Sequence, residues 1–122
     1  MKLRLLFALL LLLLPSSAGA QTTIAFAPLK PIPGTFCQIT LTGTATTLAS
    51  GCTAGLPTTA TSITVTVEAA NARYRDDGTA PSATVGMLLT VGSYLSYSSD
   101  LTKIQFVAVS GSPVCPGRVL SR

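Results

Sequence analysis

The sequence predicts an all-β domain, a small antiparallel β-sandwich or a jelly-roll-like barrel. Three observations lead there. Apolar and polar, mostly hydroxyl-bearing, residues alternate along Cys37–Thr42 and Ile63–Glu68, and a period of two sends one set of side chains into a core while the other meets water. Further short apolar stretches follow at Met87–Val91, Tyr94–Tyr97 and Ile104–Val109, divided by Gly92-Ser93 and Ser98-Ser99-Asp100, the spacing of short strands joined by tight turns. Valine and threonine recur throughout, and β-branched side chains suit a pleated surface better than a helix.

A leader precedes that domain. Lys2 and Arg4 open the chain, ten consecutive apolar residues run from Leu5 to Leu14, Pro15 breaks the run, and the small residues Ala18, Gly19 and Ala20 follow. This is the three-part pattern of a secretory signal peptide, with cleavage after Ala20 and Gln21 as the new N-terminus. A membrane-spanning helix needs about 20 apolar residues, so the run is too short for a stable anchor, and no cysteine follows Ala20 to carry a lipid. The chain is therefore expected to be exported, to the periplasm or the medium, with residues 1–20 removed.

Residues 21–35 are expected to form an extended arm, since Pro28, Pro31 and Pro33 ahead of Gly34 favour an open chain over a helix. The sandwich is expected over 36–113. Within it, Cys37, Ile39 and Leu41 mark a first strand face, and Thr44–Ser62, short of large apolar residues, reads as turns around a short strand. Ile63, Val65 and Val67 mark a central strand. Ala72 and Tyr74 alternate with Asn71, Arg73 and Arg75 up to Asp76-Asp77-Gly78, where glycine supplies the positive φ of a turn and Pro81 extends the loop. Residues 114–122 are expected to be an irregular tail: Pro116 lacks a donor and Gly117 lacks a side chain to pack, which makes poor material for a paired strand.

Losing the leader removes Lys2 and Arg4. Six basic residues (Lys30, Arg73, Arg75, Lys103, Arg118, Arg122) and four acidic ones (Glu68, Asp76, Asp77, Asp100) remain, a net charge of +2, without the lysine and arginine cluster that nucleic acid requires. Export permits a disulfide. Among the three cysteines, Cys37 at the start of a strand and Cys52 in a glycine-flanked turn are the favoured pair; Cys115 is then free, bonded between chains, or a competing partner for one of the other two. Three cysteines without histidine or a C-x-x-C spacing are not a zinc set, and no cofactor motif is present.

The residues also argue against an enzyme. Without histidine there is no Ser-His-Asp or Cys-His pair to activate a nucleophile, and neither Ser96 nor Ser110 has an evident base. Asp76 and Asp77 are the only adjacent carboxylates, but neighbours on a tight turn point apart, whereas a glycosidase needs two acids at least about 5 Å apart across a substrate. They read as turn residues; a calcium site, the weaker reading, would need Asp100 beside them. The candidate interaction surface is Arg73, Tyr74, Arg75, Asp76, Asp77 and Tyr94, with the arginines forming ion pairs and the tyrosines acting as anchors. Tyr94 and Tyr97 are three apart on one short strand, so at least one belongs in the core.

From about residue 29 to residue 113 the chain resembles small β-rich structural proteins of tailed phages and prophages. The likeness is carried by Gln38-Ile39-Thr40-Leu41, Val67-Glu68, the R-Y-R-D-D-G-T-x-P element from Arg73 to Pro81, Val85-Gly86-Met87, and Asp100-Leu101-Thr102-Lys103-Ile104-Gln105-Phe106. It implies a compact, non-enzymatic assembly protein whose partners are other structural proteins or further copies of itself. It transfers no catalytic residue. The added leader departs from that pattern, and so does the segment after Ser112, where similar proteins close with another aromatic-rich strand; its loss would leave a sheet edge open unless the arm Thr22–Ala27 covers it. A secreted carbohydrate- or surface-binding module, with the tyrosines and Arg73 lining a shallow patch, is the alternative reading.

Overall fold

The computed structural model describes residues 27–52 and 55–122. The leader, the expected cleavage point and the arm up to residue 26 lie outside the described residues. Eight strands and one helical turn follow in order: β1 (Lys30–Thr40), β2 (Thr46–Thr47), α1 (Leu48–Gly51), β3 (Ser62–Thr66), β4 (Ala72–Arg75), β5 (Met87–Leu89), β6 (Tyr94–Tyr97), β7 (Gln105–Ala108) and β8 (Val114–Ser121). They make two four-stranded antiparallel sheets, β1-β8-β3-β6 and β2-β7-β4-β5. Both sheets are open, so of the two predicted forms the molecule is the sandwich and not the barrel.

The alternation seen in the sequence is the alternation of burial. Cys37, Ile39, Ile63, Val65, Cys115 and Val119 from the first sheet meet Ala72, Leu89, Phe106 and Ala108 from the second in one core. Phe106 is the largest fully buried side chain, with the half-buried Tyr74 ring tilted against it at a centroid distance of 6.1 Å. The central strand expected at Ile63, Val65 and Val67 is β3, Ser62–Thr66, flanked by β8 and β6, with the fully buried Val67 just past its end.

Two boundaries are corrected. The expected irregular tail is β8, an eight-residue strand at the centre of the first sheet, paired with both β1 and β3. The proline and glycine that argued against a strand are accommodated by position. Val114 and Glu68 exchange both backbone hydrogen bonds, and two residues further along an antiparallel ladder the next such pair would be Pro116 opposite Thr66. That is where the β8–β3 register has its gap, between Gly117–Val65 and Val114–Glu68, so the missing N–H interrupts one ladder while β1 still pairs with β8 at Gln38–Pro116. Gly117 is favoured by closeness: a Cβ there would lie 3.1 Å from the Thr64 carbonyl oxygen, so a larger residue would push the two strands apart by a few tenths of an ångström. The closing strand is therefore present.

The second correction concerns the arm. Its described C-terminal part already belongs to β1, which begins at Lys30 and pairs Lys30 with Ser121 and Pro31 with Leu120 before the register shifts and resumes at Phe36–Arg118. Pro31 and Pro33 are tolerated because β1 is an edge strand with one unpaired side. Gly34, at φ +75°, makes the kink, and the buried Thr35 secures it by donating its hydroxyl to the Ile32 carbonyl at 2.6 Å.

Candidate functional site

The six residues expected to form one interaction surface do not meet. Arg73, Tyr74 and Arg75 lie on β4 of the second sheet, whereas Tyr94 lies on β6 of the first. Ala72 and Tyr74 turn into the core, so Arg73 and Arg75 face out from the second sheet; Leu95 and Tyr97 pack against the core, so Tyr94 faces out from the first. The two sets stand on opposite sides of the sandwich. The expectation that Tyr94 and Tyr97 divide between surface and core is met.

On the second sheet the conspicuous R-Y-R-D-D-G element is spent on its own loop. Arg73 donates from Nε to the Ala83 carbonyl at 3.0 Å and from Nη1 to the Gly86 carbonyl at 2.7 Å. Gln105 Nε2 donates to the Gly78 carbonyl at 3.1 Å, and Pro81 is buried. The loop 76–86 is thus strapped across the outer face of β4 and β7, and Val107 on that face is fully buried although it points away from the core. Gly86, at φ +128°, makes the close return possible: a Cβ there would fall 2.9 Å from the Tyr74 carbonyl oxygen.

Arg75 pairs with Asp77, the one ion pair among the described residues. Asp77 Oδ1 also accepts the Thr79 amide at 3.0 Å. The Arg75 hydrogen bonds first, then the Thr79 amide, hold the Asp77 carboxyl down to about 2. Asp100 is held low in the same way by the Thr102 hydroxyl and amide. These carboxylates are turn-makers, each serving its own loop, and no group of three or more metal-ligating side chains comes together among the described residues. Burial raises the Tyr74 hydroxyl, with Asp76 adding to the shift.

The Cys37–Cys52 disulfide is present, with Cα atoms 5.1 Å apart. Thr47 caps α1 by accepting the Ser50 amide, and Gly51 lets that turn press onto Ile39, since a Cβ would lie 2.8 Å from Ile39 Cγ2. This approach delivers Cys52 to Cys37. Cys115 is free and buried, and burial pushes its thiol up to about 11, which keeps it protonated and inert.

Among the described residues, no loop is strapped over the outer face of the first sheet. A groove of about 280 Å³ crosses it, lined by Phe36, Thr64, Thr66, Pro116, Gly117 and Arg118. None of these six belongs to the surface expected from the sequence, Arg73, Tyr74, Arg75, Asp76, Asp77 and Tyr94. Phe36 has no role in the expected strand face Cys37, Ile39 and Leu41, and Arg118 falls in the expected tail 114–122. The signal that was available is the parity of Phe36 with Gln38 and Thr40: within β1 it falls on the polar face.

Comparison with models of protein families, with curated proteins and with solved structures finds no match. Fold and site together define a small disulfide-linked antiparallel β-sandwich with one strapped and one open outer face.

Proposed function

We propose that this protein is a non-enzymatic structural module of phage or prophage type that associates with a second copy of itself through the edge of its second sheet. The observation that carries the reading is β5. It is an edge strand, and along 85–91 Val85, Met87, Leu88 and Val91 are each about half exposed, at 51%, 47%, 50% and 53%. Natural edges are protected by charge, proline or irregularity. The β1 edge has Pro31, Pro33 and a register shift, the β2 edge is two residues long, and the β6 edge exposes Tyr94 alone among large hydrophobic side chains. From Gly78 to Ser99 the chain carries no charge, so β5 has no such guard beyond its shortness.

Two β5 strands pairing about a two-fold axis would satisfy each other's free backbone groups and bury the same apolar residues on both copies. The R-Y-R-D-D-G-T-x-P resemblance to phage structural proteins supports the same reading, because such proteins act through contacts with copies or neighbours. The disulfide is compatible with export, and no described helix is long and apolar enough to cross a membrane.

Sedimentation velocity over a wide concentration range tests this. The expected result is a reversible dimer that Leu88→Lys, a substitution at a half-exposed position, converts to monomer with little change in melting temperature. A monomer at every concentration, or a dimer unaffected by Leu88→Lys combined with Met87→Lys, overturns it.

A further inference from the structure

The open face of the first sheet lies on the other side of the sandwich from the outer face of β5. Phe36 and Tyr94 are the most exposed large hydrophobic side chains among the described residues, at 62% and 64%, and both stand on this one face. They sit on its two edge strands, β1 and β6, with β8 and β3 between. Three strand spacings separate them, about 14 Å across the sheet. The ground between them is hydroxyl and backbone: Thr64 and Ser96 lie in register with each other, as do Thr66 and Tyr94. Arg118 stands beside Phe36 on one side and Thr64 on the other.

Both aromatic rings are placed by rigid backbone. Phe36 follows the Gly34 kink, with Thr35 donating to the Ile32 carbonyl and, at 3.3 Å, to the Val119 carbonyl. Tyr94 follows the turn at Gly92, φ +81°, where the Gly92 amide donates to the Val67 carbonyl at 2.7 Å and the Ser93 amide to the Thr90 carbonyl at 2.9 Å. The backbone beneath each ring is thus fixed by hydrogen-bonded turns, so presenting the two rings needs no loop rearrangement, which lowers the cost of binding.

The geometry points to a binding site for a short oligosaccharide bearing an acidic group. Flat aromatic faces stack on the apolar faces of sugar rings, while threonine and serine hydroxyls match sugar hydroxyls. Arg118 makes no ion pair among the described residues, and its guanidinium can hold one carboxylate or sulfate in a two-pronged hydrogen bond. Charge decides against single-stranded nucleic acid, which also stacks on aromatic rings but presents a phosphate at every nucleotide and calls for a track of cations. Arg118 is the single charged residue lining the groove. The exposed Glu68, two residues beyond Thr66 on the same side of the strand, puts a negative charge toward the Tyr94 end that further opposes a polyanion and leaves Arg118 as the place for the single acidic group.

The test is titration of the isotopically labelled protein, followed by NMR, with trigalacturonate, neutral cellotriose and oligothymidylate. Trigalacturonate is expected to shift the resonances of Phe36, Thr64, Thr66, Tyr94 and Arg118 and to bind more tightly than cellotriose. Phe36→Ala and Tyr94→Ala should each weaken its affinity about tenfold or more, as loss of a central aromatic anchor does. Arg118→Gln should abolish the preference for the acidic sugar while leaving the weaker neutral binding. All three positions are on the surface, and an unchanged melting curve will show that the variants fold. Absence of shifts with either sugar at millimolar concentration, shifts confined to another face, or tighter binding of oligothymidylate overturns the assignment.

Discussion

The two sheets share a core and differ in what they do with their outer faces. On the second sheet, Arg73 and Gln105 hold the loop 76–86 down by donating to the backbone carbonyls of Ala83, Gly86 and Gly78. On the first, no loop of the described chain is strapped down in this way, and Phe36, Tyr94 and Arg118 remain in solvent. The charged motif most visible in the sequence is therefore engaged in holding the fold, whereas the unremarked face is available. A string of arginines and aspartates attracts attention through its chemistry, but the Arg73 donors already bonded to the chain's own backbone cannot serve a partner as well.

The first way to break this contrast is to loosen what holds both sheets in relation. Cys37 belongs to β1 of the first sheet, and Cys52 follows the turn that leaves β2 of the second. Replacing both cysteines with alanine should lower unfolding stability by about 3 kcal/mol, the chain-entropy value for a loop of this size. Urea denaturation of the oxidised protein and the variant measures it. An effect near zero would mean that packing alone fixes β1 beside α1.

A sharper comparison sets one outward-facing residue of each sheet against the other. Val107 is fully buried beneath the strapped side, whereas Thr64 is only partly covered. Val107→Ala should cost about 2 kcal/mol from lost apolar burial and the cavity left behind. Thr64→Ala should stay within about 0.5 kcal/mol, as surface substitutions do. Equal costs in chemical denaturation would show that the two outer faces are alike and that the distinction drawn between them is mistaken.

The smallest effect lies in the loop itself. The folded-state pKa of Asp77 is depressed from 3.8 to about 2, chiefly by Arg75. A depressed carboxylate contributes stability that is fully present above its unfolded value and is lost as pH falls through the folded value. The Asp77 contribution should therefore fade between about pH 4 and pH 2, and because the pair is exposed to solvent the change will be small. NMR titration of the Asp77 side chain should show the low midpoint in the native protein and a return toward the ordinary carboxylate value in Arg75→Gln. An unchanged midpoint in that variant would remove Arg75 as the cause.

Much of the architecture was legible because burial in a strand has a period of two. Ile63-Thr64-Val65-Thr66-Val67 can bury one face in only one register, and the short strands after it are bounded by glycine, serine and aspartate. The disulfide was legible because a strand start and a glycine-flanked turn fifteen residues apart can close on each other. The candidate site was not. Its six expected residues were grouped by chemical type and nearness in the chain, and β4 and β6 then went to different sheets. The C-terminal strand was not legible because the cost of proline and glycine depends on position: Pro116 interrupts the β8–β3 ladder while β1 still pairs with β8 there, and Gly117 suits a place where the Thr64 carbonyl oxygen comes within 3.1 Å of its Cβ position.

By itself, then, the order of residues determined the class of fold, the central strand and the turn at Asp76-Asp77-Gly78, and favoured Cys37 with Cys52 while leaving Cys115 as a rival, since each follows from local periodicity, backbone freedom or loop length. Tertiary structure alone decided that β8 fills the middle of a sheet, that the loop 76–86 masks one outer face, and that Phe36, Arg118 and Tyr94 share the other. The physical reason is that strand pairing joins residues distant in the chain, and which outer face a loop covers depends on long-range hydrogen bonds that no local pattern encodes.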